Sequence, residues 1–410
     1  MAITNVVVAR QCIVDRESAV VGYEFLTRPV PAEHFVEPKA DDDLMSASAL
    51  LRWQTSGLDE LVGSKDLFVD ADHDVLTGAV AVGMPSSRAV IQVPSDHEVD
   101  RRAVDVCAKL SREGYRIAVD HGVECKDLPA LLRVASVLRV DVSKVDILAV
   151  REALDARGHY HLQLLAENVD THELLQQYRR TGFDLFQGRA VGVAHELRDS
   201  VPQSQLAVVR LAASLLGSDF DVDEIENILR TEPSMTYQLL RLAGIGARDG
   251  MRREVRTLRD ALVLVGATRV RSWVALLLLR PVSTGSDEAM VSALYRARMC
   301  ELLAHSLSPK QAPLAFTAGV LSAFDQLLGL SVDTIVKTLP LDEALREAAF
   351  GGDSEVGQLV SDVIDYQSGS INGPHRSVLL DRDFDVASMK AIRWAEASMT
   401  EMNSPTLALA

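Results

Sequence analysis

Short runs of β-branched and apolar residues alternate with helical stretches up to about residue 190, and this alternation restricts the possible folds more than any other feature. Several of the runs are apolar throughout, which is typical of parallel strands covered on both faces. The eight runs that we predict as strands are 5–9, 20–25, 66–70, 89–93, 116–120, 137–141, 162–166 and 183–186. Repeated β–α order predicts a barrel or a doubly wound sheet, and the number of strands favours a (β/α)8 barrel.

The pattern changes between residues 193 and 203, where Pro202 and neighbouring polar residues interrupt both the strand pattern and the helical pattern of apolar residues. From 203 to 365 apolar residues recur at helical spacing, for example Met235, Leu239 and Leu242 after Pro233. Further helices are predicted at 257–266, 273–281, 295–305, 316–328 and 386–399. The sequence therefore predicts a multi-domain α/β plus all-α protein, with a barrel at 1–195, a helical domain at 203–385 and a C-terminal tail at 386–410.

Composition excludes several classes of protein. Hydrophobic residues make up 48% and charged residues 24%, as in globular domains. A net charge of -16 argues against a nucleic-acid partner, because contact with phosphates requires an excess of Lys and Arg. The four cysteines are scattered, which predicts reduced thiols and a cytoplasmic location. Neither a secretion signal nor an apolar run long enough to cross a membrane is visible, so no membrane association is expected.

Acidic residues recur where the predicted strands end. The set comprises Glu24, Asp70, Asp120, Asp141 and Glu167. The carboxyl ends of the strands build the active site of a (β/α)8 barrel, and clustered carboxylates there bind hard cations. Any one of these residues alone is more simply a turn former or helix cap, whereas the whole set favours a shared site.

Five segments of the first half resemble the EAL domain, a family of TIM-like barrels that hydrolyse cyclic di-GMP. They are ARQCIVD at 9–15, GYEFLTR at 22–28, GYRIAVDH at 114–121, LAENVD at 165–170 and GFDLFQG at 182–188. The second half resembles the HDOD domain through LLRLA at 239–243, LRDALVLVG at 258–266, YRARMCE at 295–301 and GVLSAFD at 319–325. The order of these segments resembles that of EAL–HDOD signal-transduction proteins, and implies a TIM-like barrel followed by an all-helical HDOD bundle.

The resemblance implies a catalytic site that is only partly preserved. Gln92 stands where the family has Glu, His121 where it has the second Asp of a pair, and Arg139 where it has Lys. Residual metal binding is expected at Glu24, Asp70, Asp120, Asp141 and Glu167, and Mg²⁺ or Mn²⁺ is a cofactor only if that set binds metal. Ligand contacts are expected from Gln11, Arg28, Arg139 and Gln187.

These substitutions predict a non-enzymatic signalling protein linked to cyclic di-GMP pathways, because two-metal hydrolysis requires both cations. The barrel would act as input or scaffold, and the HDOD domain would bind a regulatory protein. Two alternatives stay open: a cyclic di-GMP phosphodiesterase with altered metal ligands, and a receptor that binds cyclic di-GMP without turnover. The sequence does not indicate the oligomeric state.

Overall fold

The computed structural model describes residues 3–31, 45–46, 58–95, 99–191, 270, 287–328, 330–338, 341, 343–351, 353–368, 379 and 381–403. Contacts divide the chain into two compact units, Met1–Gly192 with Tyr366–Gly373 and Val193–Asp365 with Pro374–Ala410. The helices predicted around 235–242, 257–266 and 273–281 lie outside the described residues, apart from residue 270, which is helical.

The first unit alternates strands and helices, as the sequence predicts. Its strands are β1 (Ile3–Val14), β2 (Val20–Pro31), β3 (Met45–Ser46), β4 (Asp66–Asp70), β5 (Ala89–Val93), β6 (Arg116–Asp120), β7 (Val137–Asp141), β8 (Gln163–Glu167) and β9 (Leu185–Phe186). Its helices are α1 (Asp59–Val62), α2 (His73–Leu76), α3 (Arg101–Arg112), α4 (Leu128–Val134), α5 (Ile147–Tyr160) and α6 (His172–Thr181).

Eight of these strands form a closed barrel in the order β1-β2-β4-β5-β6-β7-β8-β9, and β9 pairs back onto β1. Neighbours from β2 round to β9 are parallel. The short β3 pairs antiparallel with β1 at Val6 and Val7. The predicted TIM-like barrel is therefore confirmed, and the doubly wound sheet is not the fold.

Strand β1 departs from the expected parallel pattern, because it runs antiparallel to both β2 and β9. Only five residues separate β1 from β2, and a parallel crossover needs a dozen or more. The chain therefore turns back in a hairpin, in which Asp15 Oδ1 accepts hydrogen bonds from the backbone of Glu17 at 3.0 Å and Ala19 at 2.8 Å. Ser18 completes the turn with a positive φ of 67°.

The side chains that point into the barrel form layers, because every second residue of a strand faces the interior. One layer is apolar and consists of Ile13, Phe68, Val90, Ala118, Val137, Leu165 and Leu185. On β2 this level is occupied by Gly22, where a Cβ atom would lie 2.9 Å from the Phe68 ring. Side chains two residues apart face the same side of a strand, so the next inward residue on each strand lies one level nearer the barrel mouth.

The helices on the outside of the barrel begin at acidic or hydroxyl caps. Asp100 and Asp146 cap α3 and α5 by accepting backbone hydrogen bonds, as expected for N-cap carboxylates. Thr171 is the N-cap residue of helix α6, and its hydroxyl accepts from the backbone of Leu174 at 3.2 Å. The neighbouring Asp170 pairs with Arg189 at 2.8 Å. Gly182 ends α6 with a φ of 111°.

The described part of the second unit is helical. Its helices are α7 (Asp287–Leu307), α8 (Ala312–Leu321), α9 (Phe324–Leu328), α10 (Val332–Thr338), α11 (Glu343–Ala349), α12 (Glu355–Gln367) and α13 (Asp381–Asn403). The helix predicted at 295–305 is the C-terminal half of α7. The one predicted at 316–328 is divided into α8 and α9 by a turn at Ser322.

Within the described part of this unit, helix α7 packs against α8 and α13. Gly319 of α8 allows a close approach, since a Cβ atom there would lie 2.7 Å from the Cα atom of Ala297. The Tyr295 hydroxyl lies 2.9 Å from the Ser388 hydroxyl of α13. The helix predicted within the C-terminal tail is thus part of a longer helix that packs into the core of the unit.

Candidate functional site

A polar layer lies two residues beyond the apolar layer of the barrel. Each of the eight barrel strands, or the residue that follows it, contributes one member: Gln11, Glu24, Asp70, Gln92, Asp120, Arg139, Glu167 and Gln187. All eight were singled out in the sequence. On seven of the strands the polar residue lies two positions nearer the barrel mouth than the residue of the apolar layer on the same strand. On β2 the polar residue, Glu24, lies two positions beyond Gly22. The closed barrel therefore converts a repeated strand-end pattern into one polar site.

Arg139 occupies the middle of this layer, and its side chain is only 9% exposed. Its Nη2 atom lies 3.1 Å from Glu24 Oε1, and its Nη1 atom lies 3.3 Å from Asp120 Oδ1 and 3.5 Å from Asp70 Oδ1. Glu167 accepts from both Nε and Nη2. One guanidinium therefore forms ion pairs with carboxylates from four strands.

Amide side chains hold the carboxylate of Glu24 from both sides. Gln92 Nε2 donates to Glu24 Oε1 at 3.1 Å, and Gln187 Nε2 donates to Glu24 Oε2. Gln187 Nε2 also lies 3.0 Å from Gln11 Oε1. Within the described chain, the buried atoms Gln92 Oε1 and Gln187 Oε1 have no hydrogen-bond partner.

One guanidinium does not balance the charge of four carboxylates, and the pKa values show the consequence. Burial raises the pKa of Glu167 to about 8, and Glu24 and Asp120 add to this, although Arg139 lowers it. Burial together with Glu24 raises the pKa of Asp70 to about 6. Burial alone would lower the pKa of Arg139, but the surrounding carboxylates raise it above its usual range. Arg139 is therefore a permanent cation, while the carboxylates around it tend to take up protons.

Known proteins resemble this chain over its second half alone and over most of its length. Residues 201–335 match the HDOD domain family model. The uncharacterized protein YuxH of Bacillus subtilis is 25% identical over 371 residues, which cover 87% of this chain and 89% of that protein. Cyclic di-GMP phosphodiesterase CdgJ of Vibrio cholerae is 22% identical over 399 residues, which cover 95% of this chain and 92% of that protein.

The chain is a (β/α)8-like barrel followed by a helical region, and residues 201–335 match the HDOD domain family model. Among solved structures, the EAL domain of Mycobacterium smegmatis DcpA aligns with 45% of this chain and 90% of its own, at 18% identity and a TM-score of 0.34. The strand order of the chain itself shows the barrel.

Asp141, expected in the residual metal set, is separated from Arg139 within the barrel. It lies two residues further along β7, about 6.6 Å nearer the mouth at the usual rise of a strand. Its carboxylate accepts from Ser143 Oγ at 2.6 Å and pairs with Lys144 at 2.8 Å. Burial would raise the pKa of Asp141, but hydrogen bonds from Lys144, Ser143 and Asn168 lower it to about 2.

His121 and Arg28 are also not placed in the layer by the described contacts. His121 follows Asp120 directly, so it faces the opposite side of the chain, and its Nε2 atom lies 3.7 Å from Glu152 Oε2. Arg28 lies on β2 opposite Val6, and its side chain is outside the described residues. Sequence reasoning missed Ser95, whose backbone N–H donates to Asp120 Oδ2 at 3.0 Å. A backbone donor in a loop leaves no signal in the sequence.

The resemblance of the barrel motifs to the EAL family implies divalent cations, which the side chains of this layer would have to bind. Carboxylates are suitable ligands for Mg²⁺ and Mn²⁺, which bind oxygen at roughly 2.0–2.6 Å. The nitrogens of Arg139, however, already lie 3.1–3.5 Å from oxygens of Glu24, Asp120 and Asp70. The layer does not fit a divalent cation while Arg139 is in place. Among the described residues, no group of three or more His, Cys, Asp and Glu is arranged to hold a metal ion.

Two other observations bear on the expected environment. No helix in the described ranges combines the length and apolar character needed to cross a membrane. The four cysteines are free thiols, as predicted, and burial raises the pKa of both Cys107 and Cys300 to about 12. A thiol with so high a pKa is a poor nucleophile.

Proposed function

We propose that this protein is a non-enzymatic signalling protein linked to cyclic di-GMP pathways, with the barrel as input or scaffold. The observation that carries the proposal is the position of Arg139, whose guanidinium pairs with Glu24, Asp70, Asp120 and Glu167. Metal-assisted hydrolysis of a phosphodiester needs cations that activate water and bind the phosphate oxygens. A guanidinium supplies charge but does not generate a metal-bound hydroxide.

The link to cyclic di-GMP is supported by the EAL-like barrel and by the similarity to CdgJ over 95% of the chain. CdgJ is named a cyclic di-GMP phosphodiesterase, but the identity is only 22%. The direct test is incubation of the purified full chain with cyclic di-GMP and either Mg²⁺ or Mn²⁺, with chromatographic detection of linear product. We expect no product above that of the Glu24→Ala variant. Turnover that disappears in Glu24→Ala would establish the alternative, a phosphodiesterase with altered ligands.

Binding of cyclic di-GMP without turnover is a separate hypothesis that the same protein can test. Calorimetry with cyclic di-GMP distinguishes a receptor from a scaffold, since a scaffold gives no heat of binding at near-millimolar ligand. Gln11, Arg28 and Gln187 remain the proposed contacts if heat is observed. In that case Gln11→Ala should weaken binding without changing the folded state.

The HDOD domain is proposed to bind a regulatory protein. The support is the match over residues 201–335 and the absence, in the sequence of the second half, of a His-Asp pair that would hold metal. Affinity purification of the tagged full chain from its native cell, compared with a tagged chain truncated after Gly192, tests this role. A specific protein retained only by the full chain supports the proposal. Recovery of the same proteins by both would count against it.

A further inference from the structure

The described part of the barrel ends in a short segment, residues 187–191, which follows β9 and leads into the second half of the chain. The first compact unit reaches Gly192, so this segment lies directly before the connecting residues 193–203. Its first residue, Gln187, belongs to the polar layer, where its Nε2 atom donates to Glu24 Oε2 and lies 3.0 Å from Gln11 Oε1. The segment therefore joins the polar layer to the residues that connect the two halves.

Backbone hydrogen bonds interlock this segment with the loop that follows β8. The N–H of Val169 in that loop donates to the Gln187 carbonyl at 2.9 Å, and the Val169 carbonyl accepts from the N–H of Ala190 at 2.9 Å. Gly188 has a φ of 147°, and a Cβ atom there would lie 2.3 Å from the Val169 nitrogen. The loop begins at Glu167, another member of the layer. Both chain segments in this pairing therefore start from the polar layer.

One exposed ion pair completes the pairing of the segment with the loop. Asp170 Oδ2 lies 2.8 Å from Arg189 Nη2, and Asp170 Oδ1 accepts from the Arg189 N–H at 3.3 Å. The side chains of Arg189 and Asp170 are 57% and 36% exposed, whereas Gln187 at the start of the segment is only 3% exposed. An exposed ion pair contributes little to stability, so this pair can open while the barrel stays folded.

We propose that residues 187–191 are a conformational coupling element, which transmits the state of the polar layer to residues 193–203, and that Asp170 and Arg189 form its latch. The segment is held at one end by the layer through Gln187 and at the other by Asp170. Coupling between two places requires an element with two states that both places bias, and here the states are the latched and the released segment. The inference rests on the proposed role of the barrel as input, and states how that input leaves the barrel.

Hydrogen exchange measured by mass spectrometry on the full chain tests the latch. Asp170→Ala removes the acceptor of both Arg189 contacts, and we expect about fivefold faster exchange in peptides covering 187–192 and 193–203. Arg189→Gln breaks the same pair from the other side and should have the same effect, so the test does not depend on one variant. Asp59→Ala is the matched control, because Asp59 forms an exposed pair with Arg88 at 3.1 Å. It should leave residues 187–203 unchanged.

The coupling itself is tested from the layer. Gln11→Ala removes one of the two contacts of Gln187 Nε2 and lies far from residues 193–203 in the sequence, yet it should speed exchange in 193–203 by about fivefold. Coupling is reciprocal, so Asp170→Ala should in turn speed exchange in the β1 peptide that contains Gln11. Gln163→Ala, at the exposed start of β8, is the control for loss of a glutamine side chain. A merely structural latch would move neither of these two readouts.

Trypsin cleavage after Arg198 gives a second measurement on the same proteins, because cleavage follows the population of the released state when opening is fast. Gln11→Ala and Asp170→Ala should both be cut faster there than the wild type. Exchange in 193–203 that is the same in Gln11→Ala as in Gln163→Ala would overturn the inference, as would wild-type exchange in both latch variants. The proposed function fails on a different result, the hydrolysis of cyclic di-GMP. The exchange experiments contain no cyclic di-GMP, so the two failures are distinguishable.

Discussion

Replacement of Arg139 by Met should destabilise the barrel far more than the loss of an ordinary surface ion pair. Met fills much of the same volume, so the main change is the loss of the cation that the carboxylates of Glu24, Asp120 and Glu167 contact. Removal of one partner from a buried ion pair costs about 3–5 kcal/mol. Uptake of protons by Glu167, whose pKa is already raised to about 8, limits this loss near neutral pH. We therefore expect the lower part of that range at pH 7 and the upper part at pH 9.

Hydrogen exchange measured by mass spectrometry on the intact protein is the appropriate assay, because it reads each unit of the chain separately. A loss of about 3–5 kcal/mol corresponds to exchange that is roughly a hundredfold to several thousandfold faster in peptides covering β7 and β8. Peptides from α7, in the other unit, should be unchanged. Arg116→Met removes a partly exposed pair worth about 0–1 kcal/mol and should have little effect. Similar exchange in Arg139→Met and Arg116→Met would refute this reasoning.

Three further predictions concern pH and packing. The pKa of Glu167 in the folded protein is about 8, above its ordinary value of 4.5, so the folded state holds a proton on Glu167 that the unfolded state releases. The stability that this proton contributes therefore falls as the pH rises from 4.5 through 8. Glu167→Gln should make the melting temperature of the barrel less dependent on pH between about pH 6 and 9, and an unchanged slope would contradict this. Gly319→Ala should lower the free energy of unfolding by about 1–3 kcal/mol, because the added methyl group forces α8 away from α7. Hydrogen exchange in peptides from α7 measures this loss. Gly158→Ala is the control and should not destabilise the protein, because a Cβ atom at Gly158 would have no other atom within 4 Å. Phe384→Ala on α13 should lower the free energy of unfolding by about 3–5 kcal/mol, because the Phe384 side chain is fully buried. Asp383→Ala is the control, and equal melting temperatures for the two variants would show that α13 is not part of the core.

Much of the barrel could be predicted because its determinants are local. The apolar runs and their spacing indicate eight strands, and the two-residue period places Asp70, Asp120 and Glu167 on the inward face beyond an apolar residue. The antiparallel direction of β1 was also accessible, since a five-residue connection cannot cross over a sheet. The sequence analysis does not predict this direction, because it takes the first strand as one more member of the repeated β–α pattern.

The role of Arg139 was not accessible from the sequence. The sequence predicts only that Arg139 stands in the place of a lysine and contacts a ligand. Its contacts with Asp70, Glu24 and Glu167 join residues 28 to 115 positions apart, and they exist only because the barrel closes. Asp141 likewise lies one level nearer the barrel mouth than this cluster. The sequence shows only that each acidic residue ends a strand, and not at which level of the barrel its side chain lies.

The most direct test of the account is a crystal structure of the wild-type protein grown in millimolar Mn²⁺, with anomalous scattering recorded at the manganese edge. We expect density for the Arg139 guanidinium between Glu24, Asp120 and Glu167, and no anomalous peak within the layer. An anomalous peak coordinated by these three carboxylates, with Arg139 displaced from them, would contradict it.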